Sequence, residues 1–164
     1  MSVKIYKAPW SKLLIGTSAF LTILCLSIGV VVTQRSNDAL WWLAWLPSAL
    51  AIGCGLFTVR GYTITPDSIL VHRLLWTTDL PRVGLESARF LPNAMRSSIR
   101  TFGNGGFFSF SGLYWNKALG AYRAYVTDPA RTVVLQYRSK RTVLLSPASP
   151  EDFVHDLGLR RYAT

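Results

Sequence analysis

The sequence predicts a two-helix membrane hairpin followed by a mainly-β domain of about seven antiparallel strands closed by a C-terminal helix. Three observations carry this. Two long apolar runs, Leu13–Thr33 and Ala39–Val59, contain no charge. The chain has a net charge of +10 although only 16% of its residues are charged. Beyond residue 60, short runs of branched and aromatic residues alternate with turn residues.

Each apolar run spans about 30 Å as a helix, the thickness of a hydrocarbon core. A basic domain of this size has nothing to bury two such runs against. A signal peptide is disfavoured. The first run exceeds the usual apolar region of about 7–15 residues, and "TQRSND" after it lacks a small-x-small cleavage pattern. The connection "QRSND" is short, so the runs, about 13–33 and 39–59, pair antiparallel. Lys4, Lys7 and Lys12 precede the first run, Arg60 and Arg73 follow the second, and only Arg35 lies between them. That bias puts both termini in the cytoplasm of a bacterial cell, with the protein multi-pass in the cytoplasmic membrane. Trp10 and Tyr62 are expected at the inner interface, and Trp41, Trp42 and Trp45 near the outer one. Pro47 is expected to kink the second helix near its outer end. Cys25 and Cys54 fall at depths about 10 Å apart, too far for a disulfide. Small residues at helical spacing, Ala49 with Gly53 and Ala51 with Gly55, favour close packing within the hairpin or between copies.

The hairpin unit is thus 1–60 and the cytoplasmic domain 61–164. The latter carries 14 Lys/Arg and 7 Asp/Glu when counted from Arg60. "GYTITPDSILVHR" reads as a hairpin around Pro66-Asp67-Ser68. "LLWTTDLPRVGLES" adds a strand broken at Pro81. "AYRAYVT" and "TVVLQYR" flank Asp128-Pro129-Ala130 and read as a second hairpin, with "RTVLLSP" after it. In "SPASPEDFVHDLGLRR", Ser149 suits an N-cap, Pro150 the first turn, Glu151 and Asp152 the positive end of the dipole, and Gly158 the stop. This is the element order of a pleckstrin-homology-like barrel with its helix over an open end.

The stretch "RTFGNGGFFSFSGLYWNKALGAY" is the least ordinary. It has no Gly-Lys-Ser/Thr ending for a phosphate loop, and Gly103 and Gly105 supply only half of a dinucleotide fingerprint. Gly103, Gly105 and Gly106 are therefore expected to serve a turn of positive φ. Phe107, Phe108, Tyr114 and Trp115 either pack inside or anchor at the bilayer interface. Arg96, Arg100, Lys117 and Arg123 flank them as contacts for anionic lipid or a partner.

His72 and His155 have no Cys or acidic cluster at ligand spacing, and no Gly-x-Ser-x-Gly elbow occurs. No metal, cofactor or catalytic residue is expected. Nucleic acid is not expected either, because membrane tethering and scattered arginines favour another polyanion.

These elements together resemble small bacterial membrane proteins carrying a bacterial pleckstrin-homology (PH) domain. The resemblance rests on the helix pair, "GYTIT", "TDLPRVGLES", the run Arg100–Gln136 and "VLLSPASPEDFVHDL", and covers most of Gly61 to Gly158. It implies a cytosol-facing PH-like barrel on a membrane anchor and transfers no catalytic residue. The expected role is non-enzymatic scaffolding or regulation at the bilayer. Anionic lipids, other membrane proteins and further copies of the chain are the partner classes. Headgroup recognition by the basic barrel face is the alternative, and an unrecognised enzyme the third reading.

Overall fold

The computed structural model describes residues 3–35 and 41–159. Most of the expected inter-helix connection, the start of the second apolar run, and Arg160 and Arg161 lie outside the described residues.

The chain opens with a strand the sequence reading missed, β1 (Lys4–Lys7). Helix α1 follows (Lys12–Arg35), 24 residues long, and it alone among the described helices is long and apolar enough to cross a membrane. The second run is shorter than expected: a 3-10 turn (Trp41–Trp45) leads into α2 (Leu46–Leu56). Pro47 sits in the first turn of α2, where its missing N–H costs nothing, so it starts the α-helix rather than kinking it. The two helices run antiparallel. The Trp45 indole donates from Nε1 to Thr33 Oγ1 at 3.1 Å, and its ring covers Gly29, where an added Cβ would lie 3.1 Å from it. Both cysteines are free thiols.

The domain has two sheets. The first has order β1-β2-β3-β4, all antiparallel, with β2 (Val59–Ile64), β3 (Ser68–Arg73) and β4 (Thr77–Pro81). Gly61 admits β1, because a Cβ there would lie 2.8 Å from the Tyr6 carbonyl oxygen. The expected boundary at 60/61 is thus bridged by β1, which belongs to the domain's own sheet.

The second sheet has order β5-β9-β10-β8-β7-β6. Its strands are β5 (Leu85–Phe90), β6 (Ile99–Phe107), β7 (Ser109–Asn116), β8 (Gly120–Val126), β9 (Val133–Tyr137) and β10 (Thr142–Leu145). Among the described residues ten strands stand where about seven were expected, and one pair, β10 with β8, is parallel. The expected hairpin across Asp128-Pro129-Ala130 does not form. A 3-10 turn at Pro129–Arg131 moves β9 one place over, and β10 inserts between β9 and β8, parallel to β8. The reason is burial. All four residues of β10 are buried, and a strand covered on both faces belongs at a sheet centre.

One core lies between the sheets, formed by Tyr62, Ile69, Val71 and Leu80 against Tyr125, Leu135, Val143 and Leu145. Helix α3 (Pro150–Asp156) closes it with Phe153, and Leu157 follows. Gly158, at φ +62°, ends the helix. The other face of the large sheet packs Tyr114, Tyr122, Ala124, Val134 and Leu144 under Ala94 of the β5–β6 connection. Tyr62 is therefore not an interface residue. It is fully buried, its hydroxyl donating to the Tyr125 carbonyl at 2.6 Å and accepting from Ser146 N at 3.1 Å. Burial pushes this phenol up to about 12.

Candidate membrane-anchoring site

The glycine–aromatic stretch forms a ribbon, β6–β7, rather than a loop. Gly103 and Gly112 are paired across it, at φ +108° and +141°. The strands approach so closely there that neither position has room for a side chain. The ribbon folds over at this pair. Tyr114 then reaches back to the Asn104 carbonyl at 2.5 Å, and the Arg100 guanidinium lies over Gly105. Gly106 has φ +96°, whereas Gly105 has ordinary backbone geometry. The reversal itself is made by Phe108 at φ +61°.

The tip of this ribbon docks between the helix roots. A tight turn leaves backbone groups without ladder partners, and where the turn is covered each must find one. Here α1 supplies them. Phe108 N donates to Ser18 Oγ at 2.8 Å, and Thr17 Oγ1 donates to the Gly106 carbonyl at 3.1 Å, sharing that proton with the Leu13 carbonyl. Within the tip, the Asn104 side-chain amide donates to the Phe107 carbonyl. The Phe108 ring packs edge-on against Trp10, 6.1 Å between centroids, and lies 3.8 Å from where a Cβ on Gly55 would stand. Thr17 and Ser18 are about 8 Å along α1 from Lys12, one and a half turns into the apolar run.

Two further joints fix the hairpin to the domain. Ser11 N donates to the Thr127 carbonyl at 3.2 Å, and Thr127 Oγ1 donates to the Pro9 carbonyl at 2.7 Å. At the end of α2, the Arg73 guanidinium lies 5.0 to 5.7 Å from the ring centres of Tyr125, Trp76 and Phe57, and Nη1 donates to the Phe57 carbonyl at 3.4 Å. Burial lowers its pKa, but a guanidinium stays charged, so the three ring faces are what stabilise it. Sequence reasoning assigned Arg73 only to the charge bias. Its signal, an Arg preceding Leu-Leu-Trp, is common to many sequences.

β1 is the remaining joint. Lys4 Nζ lies 2.6 Å from Asp156 Oδ1, the Tyr6 hydroxyl donates to the same carboxylate, and the Tyr6 ring packs on Phe153. The Lys4 hydrogen bond first, then Tyr6, holds the Asp156 carboxyl below the usual carboxylate range. A depressed carboxyl contributes stability that is present above its unfolded value, about 3.9, and is lost as pH falls through the folded value. Amide protection factors at Lys4–Lys7 should therefore fall as the solution is acidified below about pH 4. Asp156→Asn should show the lowered protection already at pH 7. Unchanged protection in that variant would remove Asp156 from the latch.

The four flanking cations do not form one patch. Only Arg100 reaches the ribbon tip. Lys117 follows β7 at the end opposite the tip. The 94–98 segment that carries Arg96 is tied to that same end by Asn116, whose amide donates to the Ala94 carbonyl at 2.9 Å. Arg123 is on β8 opposite Leu113, beside Arg141. The aromatics separate too. Tyr114 is buried in the second core and its phenol is pushed up to about 12 by burial. Phe108 fills the gap between the helix roots, and Phe107 lines a cleft with Leu13 and Leu21 of α1. Trp115 is exposed on the outer ribbon face opposite Ile99. Among the described residues no group of His, Cys, Asp and Glu is arranged to hold a metal ion.

The bacterial PH domain family model matches residues 60–161. No curated protein and no solved structure matches the chain.

Proposed function

The chain belongs to the bacterial PH domain family, and from that premise we propose an integral membrane protein that holds its PH-like domain flush against the inner leaflet as a non-catalytic interaction module. The observation that carries this reading is the β1–β2 pairing. Lys4–Lys7 precedes both helices and Val59–Ile64 follows them, yet the two strands are hydrogen-bonded neighbours. A chain that leaves the domain through α1 must return to the same side of the bilayer. Only an even number of crossings does so, and in this reading Trp41–Leu56, the 3-10 turn together with α2, makes the return. Lys4, Lys7, Lys12 and Arg60 on that side make it cytoplasmic. The domain then has no tether to swing on: β2 begins three residues after α2 ends.

In this reading the ribbon tip enters the headgroup layer beside α1, with Phe107 toward the acyl region and Arg100 toward phosphate. Broad headgroup recognition by Arg96, Arg100, Lys117 and Arg123 together is disfavoured by their separation. Scaffolding through the exposed domain surface fits better.

The test is topological. Alkaline phosphatase fused after Thr164 should be inactive and a fluorescent protein fused there should fluoresce. Active phosphatase at that position would overturn the reading.

A further inference from the structure

Beside the ribbon tip, the helix roots leave a cavity of about 490 Å³, within the range of small-ligand sites. Its walls include Trp10, Ile52, Gly55, Leu74 and Phe108, and Arg60 is its one charged residue. We propose that this cavity holds a single phospholipid of the cytosolic leaflet, an acyl chain along α2 and the phosphate on the Arg60 guanidinium. The proposal rests on reading α1 and α2 as embedded in the bilayer.

Four observations support it. The apolar wall is continuous with the exposed side of α2 at Ile52, which is 70% exposed. A chain can thus enter sideways from the leaflet without crossing water. Gly55 keeps the space open, since a Cβ there would touch only the Phe108 ring, at 3.8 Å. Arg60 makes no ion pair among the described residues, and no carboxylate lines the cavity to repel an anion. Arg60 also stands four residues beyond the end of α2, at the level where headgroup phosphates lie. A free phosphate would gain only the guanidinium contact and nothing from the apolar walls. A second copy of the chain would bring its own basic membrane-proximal residues toward Arg60, so a lipid is the better occupant. A guanidinium also offers phosphate two parallel N–H donors, which a lysine cannot.

The experiment uses the full-length protein in mild detergent, titrated with dioleoyl phosphatidylglycerol and read by native mass spectrometry. The wild type should retain one lipid per chain. Arg60→Gln should weaken retention about tenfold, the loss of one charge-assisted contact. Gly55→Leu should abolish it by filling the cavity, while Arg141→Gln, remote from the helices, should bind as the wild type. Millimolar inorganic phosphate should not displace the lipid. Equal retention by the wild type, Arg60→Gln and Gly55→Leu would overturn the proposal, as would displacement by phosphate. Because Gly55→Leu could disturb the fold, Arg60→Gln with an unchanged circular dichroism melt decides alone. Carbonate washing separates the two readings. A protein stripped from membranes defeats the embedded hairpin, whereas one that resists washing yet binds no lipid defeats only the cavity assignment.

Discussion

Gly103→Ala should cost the folded protein about 4 kcal/mol, from left-handed backbone strain and from forced displacement in a packed ribbon, each about 1–3 kcal/mol. Gly103 has φ +108°, which side chains rarely adopt. An added Cβ would stand 2.3 Å from the Ser111 carbonyl oxygen and 2.7 Å from the Gly112 Cα. Both are backbone atoms, so no rotamer change relieves the clash. The paired strands must separate, and the fold that aims the tip at Thr17 and Ser18 is lost with them. Gly53→Ala is the matched control, since a Cβ there meets nothing within 4 Å and its φ is ordinary. Denaturant midpoints of the full-length proteins in one detergent measure both. A wild-type midpoint for Gly103→Ala would mean that the glycine pair does not set the ribbon's fold.

That glycine pair marks the border of what the sequence could tell. Local signals were legible. Hydropathy located α1, alternation and Pro-Asp-Ser located the β2–β3 hairpin, and Ser-Pro-Glu-Asp with Gly158 located α3. The excess of glycine between Arg100 and Gly112 announced unusual backbone, but not that Gly103 would face Gly112, because register across a bulged ribbon is not written in composition. Non-local pairings were the other loss. β1 is four residues long and its partner lies beyond both helices, so "KIYK" reads as a basic flank until Gly61 is seen to make room for it. Tyr62 follows an apolar run and so read as an interfacial ring, although alternation with Ile64 placed it equally well in a core. β10 was visible as a strand, but its place between β8 and β9 depends on burial on both faces, and an apolar run alone does not reveal that. Of the anchoring site, the aromatic residues were legible as a group. Their division among core, gap and cleft was not, since it follows from which ribbon face each occupies.

Phe153→Ala should be comparably damaging and should act at a distance. Phe153 is fully buried, and truncating such a ring costs about 3–5 kcal/mol. Its particular position adds to the consequence. The ring packs edge-on against Tyr6, with centroids 5.1 Å apart, and against Tyr62 at 6.2 Å. Tyr6 belongs to the strand before α1 and Tyr62 to the strand after α2, so one side chain of α3 grips both ends of the helix pair. Removing it leaves two polar contacts between β1 and α3, the Tyr6 hydroxyl on the Asp156 carboxylate and the Lys4–Asp156 pair. That pair is half exposed on the lysine side and holds weakly alone. The expected result is a lowered denaturant midpoint together with a selective loss of amide protection in Lys4–Lys7, larger than that in the centrally placed β10. The comparison separates a coupled latch from general softening. If β1 and β10 lose protection equally, Phe153 is an ordinary core residue and does not couple the strand before α1 to α3.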